Sequence, residues 1–453
     1  MRTGRGTHRT LRLLAIVAVF ALFGAACGGG EDLDDTGTEP TDGGGGEPAQ
    51  DLSGETVEVA ATWTGAEQER FQLVLDAFAE QTGAEVRFLS AGDDLAAFVG
   101  PRIEGGDPPD VAILPQPGVL QSFAEQGDLV PIEDVAGDLV DENLGPGGRE
   151  VGSHDGELYG VWFKAAQKST VWYHVPTFQD AGVEPPTTWD EMLEVAGTVS
   201  DFGVEPFSIG ADVGWPLTDL FENVYLRTAG PELYDQLARH EIPWTDDSVK
   251  EALTVMAEIF GEPDLIAGGT ENALQTDFNG SITQIWASDP PQGAMLMEGD
   301  FVGGIITGET EAELGTDADF FDFPSIDGSE PAVVGGGDIA GLLDDTEGGK
   351  ALIAFLATPE AAEIWAAEGG FISPMTTVDL SAYGDDIARR AAEALQQAGD
   401  SVRYDLSDLQ PTEFGATTGQ GMWGIMIDFL RNPSDVDGTA AALEKSASQA
   451  YGE

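Results

Sequence analysis

Residues 57–89 read VEVAATWTGAEQERFQLVLDAFAEQTGAEVRFL, and the rhythm of that stretch decides the fold. Val57 to Trp63 is a run of β-branched and small apolar residues that predicts a strand. Phe71, Val74, Leu75 and Phe78 follow at i, i+3, i+4 and i+7, one face of a helix. Gly83 stops that helix, because glycine takes the left-handed backbone at no steric cost. Val86 to Leu89 predicts a second strand, and Leu95, Phe98 and Val99 mark a second helix. Val111 to Leu114 predicts a third strand, followed by a helix through Leu120 and Phe123. A β-α-β-α-β order implies a parallel sheet with helices on both faces. Downstream, Thr188 with Glu191 and Ser248 with Glu251 are spaced as capping boxes, and Pro359 takes a first helical position after Thr358.

Upstream of the first strand the chain changes character. Arg2, Arg5, Arg9 and Arg12 precede an apolar run, Leu13 to Phe23, that is too short to cross ~30 Å of hydrocarbon as a helix. Gly24, Ala25 and Ala26 then lead into Cys27, the only cysteine. The arrangement resembles a bacterial lipoprotein signal, with Gly24 where leucine is more common. That resemblance implies removal of residues 1–26, acylation of Cys27, and a cell-membrane anchor on the extracellular face. The other reading is an ordinary secretory signal with an incidental thiol. Once Cys27 is acylated, no thiol remains for a disulfide or a thiolate metal site. Residues 27–54 are mostly Gly, Asp, Glu, Thr and Pro, a composition that buries too little surface to fold, and read as a flexible acidic tether.

Removing the four signal arginines lowers the basic count from 19 to 15 against 82 acids, and the formal charge from −63 to −67. A surface this negative excludes nucleic acid and electrostatic binding to anionic lipid. The acids are spread along the chain, and only five lysines are present. Such a balance suits high salt, where screening shortens to ~3 Å at 1 M, or alternatively solubility in an alkaline or dilute habitat. The ~400 residues after the tether exceed what one hydrophobic core usually serves, so two α/β lobes are expected.

Several short motifs, in order over residues 55–450, carry a closer resemblance. They are Gly106-Asp107-Pro108-Pro109-Asp110-Val111; Tyr159-Gly160-Val161 followed by Val171-Trp172-Tyr173-His174; Pro186-Thr187-Thr188-Trp189-Asp190-Glu191; Gly293-Ala294-Met295 with Gly299; and Gly370-Phe371-Ile372-Ser373-Pro374. Together they resemble the family 1 extracellular solute-binding proteins, the maltose-binding type, with His174 and Trp162 standing where asparagine and proline are usual. Gly214-Trp215-Pro216 with Thr218-Asp219, and Asp110 to Gly118, resemble its alpha-glucoside-binding branch. The resemblance implies a two-lobe periplasmic-binding-protein-like fold, type II, with a carbohydrate ligand in the cleft and the permease subunits of an ABC importer as partners. It implies a monomer, no catalysis and no cofactor. By motif position the first lobe takes residues 55–163 and 323–371, and the second takes 164–322 and the C-terminal helices of 372–453.

A sugar presents C–H groups on its faces and hydroxyls around its rim, which call for aromatic rings and for charged or amide side chains respectively. Ligands of open α/β sheets lie beyond the carboxyl ends of the strands, where Trp63 and Gln116 fall. The aromatic candidates are Trp63, Trp215, Phe301 and Trp423; Phe301 follows the Gly293-Ala294-Met295 element where the family carries a stacking tryptophan. The polar candidates are Glu67, Gln116, Lys164 and Asp219. Lys164 stands out because basic residues are rare in this chain, whereas Glu67 also suits the first turn of a helix. Trp189 and Trp365 lie on apolar helical faces and are assigned to the core. Gly335-Gly336-Gly337-Asp338 lacks the Lys-Ser/Thr of a phosphate loop and reads as a close backbone approach to a neighbour or ligand. His154, His174 and His240 lack metal-ligand spacing, and no calcium loop is present. Two rival functions remain open on the sequence. One is a secreted glycoside hydrolase, although no GxSxG or HExxH motif occurs. The other is the same fold holding a peptide, a polyamine or ferric iron.

Overall fold

The alternation read from residues 57–123 builds the sheet of the first lobe. This computed structural model describes residues 50–452 except 93, 399 and 400. Cys27, the signal and most of the tether lie outside the described residues. Strands β1 (Thr56–Ala61), β2 (Glu85–Ser90) and β3 (Val111–Leu114) run parallel, with Val59 beside both Phe88 and Val111. Helices Gly65–Thr82, Leu95–Gly105 and Pro117–Gln126 connect them and continue past β3. Val57, Val59, Ala60 and Ala61 are all fully buried, as a strand covered on both faces requires. After a small hairpin, β4 (Ser153–His154) with β5 (Glu157–Leu158), strand β6 (Gly160–Gln167) stays with this lobe. The second lobe is built on β7 (Thr170–His174), β8 (Glu205–Phe207), β9 (Gly293–Met297) and β10 (Ala318–Asp322), in the order β10-β7-β9-β8. The chain then returns with β11 (Val333–Leu342), antiparallel to β3 and β6, and with β12 (Val402–Tyr404) parallel to β11 at the edge.

Each lobe closes on its own aromatic packing. In the first, Trp365 stacks on Phe371 with centroids 5.2 Å apart and touches Phe71 and Phe163. In the second, Phe221 stacks on Tyr225 at 5.5 Å and meets Trp244. Burying one such side chain stabilises the fold by about 1.5–3 kcal/mol. Trp189 and Trp365 are both core residues. Thr188 and Glu191 form both bonds of a capping box, which contributes about 1 kcal/mol. Ser248 is not a cap. Asp246 accepts the Ser248 N–H at 2.9 Å and the helix begins at Asp247, since a carboxylate two positions earlier outcompetes the hydroxyl.

The crossings between lobes differ from the expected boundaries. β6 remains paired with β11 through Gln167, so the chain first leaves the first lobe at Lys168–Ser169 and not after residue 163. After β10, Phe323, Ile326 and Ala332 stay in the second core, and Ser325 O accepts from Trp189 N–H, so the return occurs at residue 333 and not at 323. Residues 372–453 do not all belong to the second lobe. Ile372 bridges to Ala165, helix Asp386–Ala398 buries Ile387 and Ala391 in the first core, and β12 joins the first sheet. Only the residues from 405 onward, ending in helices Gly421–Arg431 and Val436–Ala450, pack on the second lobe. Motif positions cannot show which sheet a strand end joins, because its hydrogen-bond partner lies in a distant part of the chain.

The three crossings run side by side. Lys168 N–H donates to Val334 O at 2.8 Å, Phe323 N–H to Ser169 O at 2.8 Å, and Asp405 N–H to Gly335 O at 2.7 Å. The lobes also touch away from the crossings. Arg70, on helix Gly65–Thr82, donates to Gly304 O and to Thr307 Oγ1 of the second lobe, each at 2.8 Å.

Candidate functional site

Between the two sheets lies a cavity of about 360 Å³, within the range of small-molecule sites. The structure brings Trp63, Glu67, Gln116, Lys164, Trp215, Asp219, Phe301 and Trp423 together on its wall. Trp63 follows the carboxyl end of β1, and Gln116 occupies the N-cap position of the helix after β3. The first lobe contributes these together with Glu67 and Lys164. The second contributes Trp215 and Asp219 from helix Trp215–Ala238, Phe301 after β9, and Trp423 from the C-terminal helices.

The aromatic residues divide in two. Trp63 is 4% exposed and held edge-on by Phe71 and Trp365, each 4.8 Å away, so most of its ring is core. Trp423 is 5% exposed, and its Nε1–H meets no acceptor among the described residues. Trp215 and Phe301 are only partly buried, and Phe278 lies between them, 4.8 Å from Trp215 and 5.6 Å from Phe301. The accessible aromatic wall is therefore Trp215, Phe278 and Phe301.

Two lysines organise the polar wall. Lys164 Nζ donates to Glu67 Oε1 at 2.6 Å and lies 5.3–5.7 Å from the ring centroids of Trp365, Trp63 and Phe301. Burial alone would lower the Lys164 ammonium, but the Glu67 and Asp338 carboxylates hold it above its ordinary range. Lys168, at the first crossing, reaches Asp219 at 3.3 Å, Asp408 at 3.7 Å, and Asp405. Those carboxylates outweigh the burial that would lower Lys168 and raise it well above the ordinary value. Burial pushes Asp219 up to about 8 against the pull of Lys168, and it pushes Asp408 well up beside Asp405. Asp405 goes the other way: burial would raise it, and Lys168 draws it below the usual carboxylate value. Asp219, Glu222 and Asp405 converge to within 4.8 Å, a spacing a metal could use, but the cation among them is the Lys168 ammonium.

Sequence reading missed Lys168, Phe278, Asn279 and Asp408, all on the cavity wall, and noted Asp338 only as the end of a glycine run. Lys168 had the same signal as Lys164, its rarity. Phe278 and Asn279 sit in no motif, and only the packing of helix Phe278–Trp286 brings them in. Asp338 follows the glycine run already noted.

The family model for bacterial extracellular solute-binding proteins matches residues 62–363. The osmoprotective compounds-binding protein GgtB of Synechocystis is 34% identical over 390 residues, covering 84% of this chain and 90% of its own. The alpha-glucosides-binding periplasmic protein AglE of Rhizobium meliloti is 32% identical over 410 residues, covering 87% and 88%. Among solved structures, the bacterial solute receptor AcbH superposes with a TM-score of 0.75 at 20% identity, over 87% of this chain and 99% of that one. The GacH receptor of Streptomyces glaucescens gives 0.69 at 15% identity, over 89% and 100%. Two lobes, three side-by-side crossings and a lined cleft thus coincide with a family match over most of the folded chain, and the protein belongs to the bacterial extracellular solute-binding proteins.

Proposed function

We propose that the protein captures a carbohydrate, of the alpha-glucoside kind, outside the cell and delivers it to the permease of an ABC importer. The observation that carries this reading is the pairing of an accessible aromatic wall, Trp215, Phe278 and Phe301, with a rim of carboxylates and lysines in one cavity. Rings meet the C–H faces of a sugar, and the charged rim meets its hydroxyls. The name of AglE, which binds alpha-glucosides, supports this class of ligand. The protein acts as a binder without turnover. Its cavity acids Glu67, Asp219 and Asp408 are engaged by lysines, which suits fixed recognition more than proton transfer. It works as a monomer held to the membrane through Cys27. Ligand favours the form in which both lobes touch it, because only that form makes every contact.

Native mass spectrometry of the freshly purified protein tests this reading. A co-purified adduct with the mass of a di- or oligosaccharide is expected, returned unchanged on denaturation. A peptide, polyamine or iron adduct would replace the carbohydrate reading, and hydrolysed sugar would replace the non-catalytic one.

A further inference from the structure

One carboxylate on the cavity wall differs from the rest. Glu67 is bound by Lys164, Asp219 and Asp408 by Lys168, Asp94 by Ala97 N–H, Asp212 by Val213 N–H, and Asp277 by Gly280 N–H. Asp338 lines the same cavity and accepts no hydrogen bond from any described residue; the protein acts on it only through burial and through charge. Its side chain is only partly buried and opens onto the cavity, so a ligand entering there can reach its free oxygens.

The backbone presents this side chain deliberately. The β11–β6 register breaks between Asp338 and Ile339, and such bulges re-aim a side chain beside a site. Gly337 supports the break with φ of 148°, and a Cβ there would lie 2.0 Å from Lys164 O and 2.5 Å from Trp162 Nε1. No other residue fits at 337 without displacing the strand that carries Lys164. The glycine run thus delivers a carboxylate to the cavity beside the first crossing.

We infer that Asp338 is a ligand-binding residue, whose free carboxylate accepts two hydroxyls of the bound carbohydrate and ranks among the main determinants of affinity. This rests on the carbohydrate reading above. A bidentate carboxylate matches a pair of neighbouring hydroxyls, and such charge-assisted bonds are the stronger kind. The groups facing Asp338 are Lys164 on β6, Lys168 at the first crossing, Glu67 on helix Gly65–Thr82, Asp300 after β9, and Tyr404 on β12. Burial pushes Asp338 up to about 7 although Lys164 opposes it. Hydroxyl donors favour the ionised form. The contribution of Asp338 to binding is therefore present above about 7 and lost as pH falls through that value.

Calorimetry with maltose, trehalose and their monodeoxy derivatives tests the inference on wild type, Asp338→Asn and Asp338→Ala. Asp338→Ala is expected to weaken binding about 10- to 100-fold, with the isosteric Asp338→Asn in between and both variants folded by circular dichroism. The gap between wild type and Asp338→Asn should widen from pH 6 to pH 8. One deoxy position should cost wild type heavily and Asp338→Ala little, which identifies the partner hydroxyl. Affinity of Asp338→Asn and Asp338→Ala within twofold of wild type overturns the inference while leaving the carbohydrate reading intact. A gap constant with pH overturns the ionised acceptor. Wild type that binds a non-carbohydrate solute, and none of these sugars, removes the reading and this inference together.

Discussion

Lys164, within β6, and Lys168, just past its end, lie four residues apart, and the fold puts them to different uses. Lys164 sits in a box of three aromatic rings and makes one ion pair, with Glu67, whose side chain is 17% exposed. Lys168 sits among Asp219, Asp405 and Asp408, whose side chains are 3%, 0% and 6% exposed. Nothing in the local sequence distinguishes the two. The difference is what the chain brings from elsewhere: Asp405 arrives with the last crossing and Asp219 with the second lobe. Lys164 is therefore a cavity residue with an ion pair at its side. Lys168 is the cation set among buried acids where the crossings meet.

Lys168→Met breaks this contrast with the largest effect. It leaves the ionised, fully buried Asp405 without its cation and Asp219 and Asp408 without their donor, and stability should fall by about 3–5 kcal/mol, read by urea unfolding. Lys164→Met takes the ion-pair partner from Glu67, which reaches water, and the nearby charge from the partly buried Asp338, so a smaller loss of about 1–3 kcal/mol is expected. Equal losses in the two variants would contradict the distinction. The aromatic residues sharpen the same separation. Trp63→Ala should cost about 3–5 kcal/mol of stability from core packing. Trp215→Ala should leave stability nearly unchanged and weaken sugar binding by about 1–3 kcal/mol, measured by calorimetry.

The smallest effect is the pH dependence of Asp219, whose carboxyl is pushed from the ordinary 3.8 to about 8. Because the folded value is the higher one, its contribution to stability is complete below about 4 and lost as pH rises through about 8. Thermal melts from pH 6 to 8.5 should show wild type losing stability as pH rises, by more than Asp219→Asn does. A steeper loss in Asp219→Asn would contradict the raised value.

Much of the first lobe was legible from period alone, because Phe71, Val74, Leu75 and Phe78 show their face locally. The division between lobes was less so. Whether β6 ends at residue 163 or 167 depends on β11, and β11 sits in the glycine run 335–337, which carries no hydrophobic period. In the site, Trp63 and Gln116 were legible because they follow strand ends, and Trp215 and Phe301 because they sit beside motifs. Phe278 was not, since an aromatic residue on an amphipathic helix looks like core until the opposite lobe is in place. Asp338 was hidden for a different reason. Among the carboxylates of the cavity wall, the absence of a hydrogen-bond partner singles it out, and that absence is a property of the folded chain.

The most direct test of a carbohydrate held between the lobes is a crystal structure of the protein grown with the sugar it binds most tightly in calorimetry. That sugar is expected in the cavity, with a ring face on Trp215, Phe278 or Phe301 and two hydroxyls on Asp338. Sugar bound on an outer face of either lobe, or an empty cavity at saturating ligand, would contradict it.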